Sequence, residues 1–174
     1  MTLSQHGKQS TLTERSFCAT WPKATYRTSV PHGLPASFPE DKHTPGMQRA
    51  LAVSDELIAE LLSADEILIG TPMYNFTVPA NLKAWIDLIV RPRVTHSGPP
   101  ERKGLVTGKT CKIIIASGGI YDEGLPASAS DYESGYLKRI LAFIGITTAA
   151  VSFGSTTVEE LVAQFRPAVL AATR

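Results

Sequence analysis

Four consecutive residues with chemically versatile side chains, Met73, Tyr74, Asn75 and Phe76, follow an apolar segment at residues 66–69. The apolar segment has the composition of a buried strand, and a segment with helical periodicity begins a few residues after the four. In an open α/β sheet, ligands bind in the crevice beyond the carboxyl ends of the strands. A thioether, two aromatic rings and an amide at this place indicate a site for a flat, partly polar molecule.

A second candidate segment, Ser117, Gly118 and Gly119, follows another apolar run at residues 112–116. On its own such a sequence is typical of an ordinary turn. Its position directly after a predicted strand allows another interpretation, because glycine has no Cβ and lets a ligand approach the main-chain N–H groups closely. We therefore treat this turn as a second candidate contact for the same kind of ligand.

The elements that would position these residues alternate between two patterns. Some stretches carry apolar residues at helical spacing, and others are short continuous apolar runs. The helical stretches are residues 47–62, 82–90, 136–144 and 158–169, and the strands are residues 66–69, 112–116 and 148–153. Alternating strands and helices pair in parallel through right-handed crossovers. The sequence therefore predicts an α/β three-layer sandwich with a mostly parallel sheet.

The first 45 residues differ from the regular pattern of residues 46–174. Proline and glycine make the part before Gly46 loop-rich. Residues 12–21 predict a weak helix and residues 25–30 a short strand, whereas no apolar strand precedes Ser4. Because no repeat or linker divides the sequence, we predict a single domain over residues 1–174.

The charge and composition exclude several classes of partner. The chain of 174 residues has a net charge of +1, and its acidic and basic residues are well mixed. This balance gives no electrostatic basis for binding nucleic acid. The first residues lack the apolar segment of a signal peptide, and no run approaches the length of a membrane span. We expect a cytoplasmic protein that binds neither nucleic acid nor membrane.

The residues that most often bind metals are widely scattered. Cys18 and Cys111 lie far apart in the sequence, without the spacing of a zinc site, so we expect two reduced thiols. The four histidines share no ligand spacing, and no metal site is predicted. We expect His96 to be a histidine exposed to solvent.

A longer motif contains the first candidate segment. Pro72 and the four residues after it are followed by Pro79, Leu82, Lys83, Trp85 and Asp87. Together with residues 51–61, 104–109 and 143–147, this motif resembles the FMN-dependent NADH-azoreductases, also described as NADH:quinone oxidoreductases. The resemblance extends from about residue 51 to about residue 151 and implies a flavodoxin-like fold.

The resemblance implies FMN as the cofactor and NADH as the electron donor, with a quinone or an azo compound as the acceptor. The flavin ring would lie against Pro72, Met73, Tyr74, Asn75 and Phe76. The second ring contact would come from Ala116, Ser117, Gly118 and Gly119. The phosphate turn of the family carries over to Ser4, Ser10 and Thr11.

The resemblance also implies a homodimer, in which we expect Trp85 and Ile89 to lie near a subunit contact. Because the flavin itself performs hydride transfer, no protein nucleophile or general acid is needed, and we predict no catalytic protein residue. Hydroxyl groups and helix-terminal amides are suited to holding a phosphate.

The sequence also departs from the family pattern in its N-terminal part, which is divergent or truncated. The family begins with an apolar strand that leads into the phosphate turn, whereas only three residues precede Ser4 here. We expect this first strand to be short or missing. An aromatic pair that the family has after Thr95 is replaced by His96, Ser97 and Gly98. These departures favour a second hypothesis, a non-catalytic or impaired flavodoxin-like remnant that has lost tight FMN binding.

Overall fold

Four parallel strands form the sheet of the computed structural model, which describes residues 16–19, 38 and 40–154. The strands lie side by side in chain order, and each pairs in parallel with the next. Their bounds are Ser16–Ala19 for β1, Glu66–Pro72 for β2, Thr110–Ala116 for β3 and Thr147–Gly154 for β4. The predicted strands at residues 66–69, 112–116 and 148–153 are therefore confirmed, each one longer than predicted.

Three α-helices connect the strands: α1 at Pro45–Ser63, α2 at Ala80–Ile89 and α3 at Ser134–Ile144. Two short 3₁₀ helices, Glu40–Lys42 and Pro126–Ser130, lie in the connections. Right-handed crossovers between strands in this order place all three helices on one face of the sheet. The α/β fold class is confirmed, and the third layer of the predicted sandwich is not among the described residues. No helix of the described residues is long and apolar enough to cross a membrane.

The strand β1 corrects the predicted helix at residues 12–21. Residues Ser16–Ala19 pair in parallel with residues 66–69 of β2, beginning with Ser16 opposite Glu66. This pairing joins segments about 50 residues apart, so the local pattern of the sequence carried no sign of it. A strand of four residues thus lies beside β2, whereas the segment before Ser4, where we expected the first strand of the family to be short or missing, is outside the described residues.

The core lies between the sheet and the helices. Alternate side chains of β2 and β3, including Ile67, Ile69 and Ile113, are buried and meet the apolar sides of the helices. Trp85 and Ile89 of α2 are only 2% and 1% exposed. Both side chains lie in the core of this chain, and a subunit contact near them stays a prediction.

The helix ends are fixed by local hydrogen bonds. The Thr44 hydroxyl accepts a hydrogen bond from the Met47 N–H at 3.3 Å, and Pro45 occupies the first helical position of α1. At its other end, the Lys109 ammonium donates to the carbonyls of Leu62, at 2.8 Å, and Ala64. The positive charge of Lys109 at this end of the helix also interacts favourably with the negative end of the helix dipole.

The end of α3 meets the connection between α2 and β3 at a very close approach of two main chains. Gly145 ends α3 with φ of 103°, a left-handed conformation that suits glycine. A Cβ added at Gly104 would lie 2.5 Å from the Gly145 Cα, so no side chain fits there. The Val106 N–H donates to the Ile144 carbonyl at 2.9 Å and holds the two segments together.

Candidate functional site

The two candidate segments of the sequence analysis lie side by side at the carboxyl edge of the sheet. They follow β2 and β3, which are neighbours with Pro72 opposite Ala116 at the end of the ladder. The Met73 N–H donates to the Ala116 carbonyl at 2.8 Å, which extends the ladder by one bond beyond the strands. The structure therefore brings together the predicted residues 72–76 and 116–119.

Residues 74–77 form a tight turn with an unusual backbone. The N–H groups of Tyr74 and Thr77 donate to each other's carbonyls at 3.0 and 3.1 Å. Asn75 and Phe76, the two central residues, have φ of 51° and 69°. Two successive left-handed residues are the signature of a type I′ turn, for which Asn-Gly is the favoured pair. Phenylalanine is rare in this conformation, and such strain often marks functional segments.

The aromatic side chains of this turn are exposed rather than packed in the core. Tyr74 is 61% and Phe76 is 49% exposed, whereas Met73 is partly buried against the core. Exposed rings beside a partly buried thioether provide apolar and polarizable surface for a flat molecule. These exposures leave the segment accessible, and its contact with a ligand stays a prediction.

The turn after β3 offers main-chain donors at an open surface. The Ser117 hydroxyl donates to the Gly119 carbonyl at 2.7 Å, which closes the turn locally. Among the described residues, no group accepts a hydrogen bond from the N–H of Gly118 or Gly119. A Cβ added at Gly118 would meet no atom within 4 Å. A ligand thus has room to approach these donors.

A third segment at this edge, residues 131–133, was not predicted. The Tyr132 N–H donates to the Phe76 carbonyl at 3.1 Å, which fastens this segment to the strained turn. Asp131 accepts hydrogen bonds from the N–H groups of Glu133 and Ser134 at 3.0 and 2.8 Å and so caps α3. The sequence signal that could have located this segment is an aspartate three residues before Ser134, just ahead of a helical stripe.

Glu133 is the most unusual ionisable group of the site. Its side chain is fully buried, at 0% exposure. The Thr71 hydroxyl donates to Oε1 at 3.0 Å, whereas Oε2 has no hydrogen-bond partner among the described residues. Burial raises the pKa of Glu133 to about 7, and the charge of Asp131 adds to this increase, while the hydrogen bond from Thr71 opposes it. We call residues 73–77, 116–119 and 131–133 the three rim segments.

Several residues named in the sequence analysis lie away from the rim segments or outside the described residues. Ser4, Ser10 and Thr11 are outside the described residues, so the phosphate contact stays a prediction. His96 is 8% exposed, and the prediction of a solvent histidine was wrong. Its ring centroid lies 4.7 Å from that of Phe143 in the last turn of α3, at the other end of the helix from Glu133. Burial, with a smaller contribution from Arg102, lowers the pKa of His96.

The remaining metal-binding and nucleophilic side chains form no further site in the described ranges. These ranges contain no group of three or more His, Cys, Asp or Glu side chains placed to hold a metal ion. Cys111 is a buried free thiol, and burial together with the charge of Glu66 raises its pKa to about 12. Such a thiol is protonated and unreactive at neutral pH.

Comparison with known proteins identifies a family and several similar proteins. The sequence profile of a family described as having a flavodoxin-like fold matches residues 2–173. The FMN-dependent NADH:quinone oxidoreductase 2 of Jannaschia sp. (strain CCS1) is 54% identical over 116 residues, which are 67% of this chain and 56% of the relative. The FMN-dependent NADH:quinone oxidoreductase 8 of Burkholderia lata is 50% identical over 116 residues, 67% of this chain and 54% of the relative.

A solved structure is also similar. The crystal structure of an FMN-dependent NADH-azoreductase from Bacillus anthracis str. Ames Ancestor, in complex with FMN, superposes with a TM-score of 0.61 and 27% identity. The similarity covers 75% of this chain and 65% of that one. The chain spans little more than half the length of the two curated relatives, at 56% and 54%.

Proposed function

The chain belongs to the family with the flavodoxin-like fold, and from this premise we propose that it binds FMN and transfers hydride from NADH to a quinone or an azo compound. Two relatives, 54% and 50% identical, are named FMN-dependent NADH:quinone oxidoreductases, and a similar solved structure is an azoreductase in complex with FMN. The observation that carries the proposal is the adjacency of residues 72–76 and 116–119 at one edge of the sheet, fixed by the bond between Met73 and Ala116.

The chemistry of the rim segments fits the ring system of FMN. A flavin has an apolar benzenoid end and a polar pyrimidine end, and both kinds of surface are present. The exposed rings of Tyr74 and Phe76 and the partly buried Met73 supply the apolar contact. The N–H groups of Gly118 and Gly119, for which the described residues offer no acceptor, supply donors, and there is open space beside Gly118. In this proposal Asn75 donates or accepts at the polar edge.

Bound FMN supplies the hydride chemistry, and the residues of the chain bind and orient it. Donors directed at one edge of the ring stabilise negative charge that develops there. The N–H groups of Gly118 and Gly119 are suited to this role because no side chain intervenes. The Thr71 hydroxyl donates to Glu133 at 3.0 Å and so holds the end of β2 against the third rim segment. No nucleophile of the protein takes part.

The finer parts of the proposal concern the oligomeric state of the protein and its location in the cell. We propose a cytoplasmic homodimer built from a single domain, with a small quinone or azo compound as the acceptor. Ser4, Ser10 and Thr11 remain the proposed phosphate contacts. Exposed apolar side chains at the carboxyl edge, among them Tyr74 and Tyr132, support the proposed dimer, because an apolar surface is favourable to bury against a second copy.

The test of the proposal is FMN binding followed by reduction. FMN is titrated into the purified chain while flavin fluorescence is recorded, and NADH is then added to the complex without oxygen. We expect binding at micromolar concentration and loss of the visible flavin absorption upon addition of NADH. If the chain neither binds FMN nor reduces it, the proposal is wrong and the hypothesis of an impaired remnant is supported.

A pair of variants shows whether the binding uses the rim segments. Gly118→Leu fills the open space beside the proposed ring, and we expect it to lower FMN affinity at least about tenfold. Gly46→Leu is the matched control, because a Cβ at Gly46 also fits, its nearest atom being 3.8 Å away, and this residue lies in α1. Equal affinities for the two variants would place the flavin elsewhere.

A further inference from the structure

We propose that Glu133 is a positioning residue of the flavin site, whose uncharged carboxyl holds the start of α3 against the end of β2 and whose ionised form loosens this contact. The consequence is an FMN affinity that depends on the protonation of a residue that does not itself touch the flavin. This inference rests on the proposed function, because it concerns the affinity of the same site.

The geometry connects Glu133 to the first rim segment by two routes. Its Oε1 accepts a hydrogen bond from the Thr71 hydroxyl at 3.0 Å, two residues before Met73. Tyr132, the residue before Glu133, donates its N–H to the Phe76 carbonyl in the strained turn at 3.1 Å. The position of the turn is therefore fixed both through β2 and through the start of α3. A displacement of Glu133 would move residues on both sides of the proposed ring contact.

The two protonation states satisfy the surrounding groups differently. A protonated carboxyl can donate to the Thr71 hydroxyl oxygen, and that hydroxyl can then donate to the Pro72 carbonyl, which lies 3.4 Å away. An ionised carboxylate accepts only from Thr71 and leaves Oε2 charged and without a donor in a fully buried position. A buried charge with an unmatched oxygen is unfavourable, so the ionised state favours movement of Glu133 toward water.

The charges around Glu133 agree with this assignment. Asp131, at the start of the same helix, carries the charge that acts on the carboxyl and favours its neutral form. From β2, the group that faces it is the uncharged Thr71. The ion pair of Lys83 and Asp87 on α2 acts on Tyr136, one turn further along α3. Within the described ranges, the structure thus provides no cation that would keep Glu133 ionised.

The direction of the pH effect follows from the raised pKa. Burial raises the pKa of Glu133 from 4.5 to about 7, so the folded chain holds this proton more tightly than the unfolded chain. The stabilising contribution is complete below pH 4.5 and is lost as pH rises through about 7. We therefore expect FMN affinity to fall about fivefold as pH rises across this value, a coupling of ordinary size between two sites.

The experiment compares FMN titrations over the range from about pH 5.5 to about pH 8.5 for a set of variants. We expect the affinity of wild type to fall relative to that of Glu133→Gln as pH rises, because the amide cannot ionise whereas titration of the FMN phosphate affects both proteins alike. Glu123→Gln is the matched control, since it makes the same chemical change at an exposed position, and it should retain the decrease of wild type.

Variants of Thr71 separate this role from simple packing. The hydrogen bond from Thr71 favours the ionised form, so Thr71→Val should move the midpoint of the affinity decrease to higher pH. Thr71→Ser keeps the hydroxyl and should restore the midpoint. A residue that only fills space would give no shift of the midpoint and no rescue by serine.

Urea unfolding of the chain without FMN distinguishes failure of this inference from failure of the proposed function. If FMN binds with the same affinity across the pH range in wild type and in Glu133→Gln, the inference is overturned and the proposed function stands. If no variant binds FMN, the proposed function and the coupling to affinity both fall. In that case, a decrease in stability through about pH 7 in wild type but not in Glu133→Gln would leave the positioning contact established.

Discussion

The two edges of the sheet are built in opposite ways. At the carboxyl edge, exposed rings lie together with main-chain N–H groups and a Glu133 Oε2 that have no hydrogen-bond partner among the described residues. At the amino edge, most residues of the segment 91–109 are exposed, but the buried hydroxyl of Thr95 has hydrogen-bond partners. Thr95 there is 0% exposed, and its hydroxyl both accepts from the Arg91 N–H and donates to the Ile89 carbonyl, each at 2.8 Å.

This difference distinguishes features that stabilise the fold from features that would bind a ligand. Native proteins satisfy nearly all buried polar groups, so an edge that leaves groups unsatisfied or exposed is a candidate for binding. Positive φ alone does not make the distinction, because Arg93 and Arg102 of the amino edge share it with Asn75 and Phe76. The distinction comes from the combination of strain, exposure and free donors in one place.

The largest expected effect is on stability and comes from a substitution that disrupts the packing at the amino edge. Gly104→Ala would bring a Cβ to 2.5 Å from the Gly145 Cα, a main-chain atom that cannot move aside easily. We expect the free energy of unfolding to fall by about 3 kcal/mol, measured by urea denaturation. Gly118→Ala at the carboxyl edge is the matched control and should change stability by less than about 0.5 kcal/mol, because its Cβ enters open space. Similar losses at both positions would contradict the contrast between the edges.

The next effect concerns the matched polar groups. Thr95→Val removes a buried hydroxyl and leaves the Arg91 N–H and the Ile89 carbonyl without this partner. We expect a loss of about 2 kcal/mol in urea denaturation. Thr77→Val, at an exposed position of the strained turn, should change stability by less than about 0.5 kcal/mol. If Thr95→Val were as stable as wild type, these hydrogen bonds would contribute little to the free energy of unfolding.

The smallest effect sharpens the comparison by separating strain from binding. Phe76→Gly gives the turn its favoured Asn-Gly pair, and we expect stability to rise by about 1 kcal/mol while FMN affinity falls. Arg102→Gly relieves a φ of 51° at the amino edge in the same way and should leave FMN affinity unchanged. Urea denaturation and FMN titration measure the two quantities. Weaker FMN binding in Arg102→Gly would show that the edges are not independent.

Much of the sheet could be predicted from the sequence because its strands are continuous apolar runs. Residues 66–69 and 112–116 lie within β2 and β3, and the helical stripes at residues 47–62 and 82–90 lie largely within α1 and α2. The adjacency of residues 72–76 and 116–119 then follows from parallel pairing of neighbouring strands.

The features that could not be predicted all depend on contacts between distant residues. Nothing local to Ser16–Ala19 indicates pairing with β2, and nothing local to His96 indicates a ring contact with Phe143. Glu133 reads in the sequence as an ordinary acidic residue before a helix. Its unusual pKa arises only when the fold buries it beside Thr71, 62 residues away.

The single bond between the Met73 N–H and the Ala116 carbonyl has a consequence for redesign of this site. It keeps two rim segments at the spacing of adjacent strands, about 4.8 Å, whatever side chains they carry. The backbone therefore sets the width of the site that is available to a ligand. The side chains at positions such as Tyr74 and Phe76 set which ligands the site prefers. Libraries randomised at those two positions should therefore change which planar compounds are accepted while the frame that receives them keeps its dimensions.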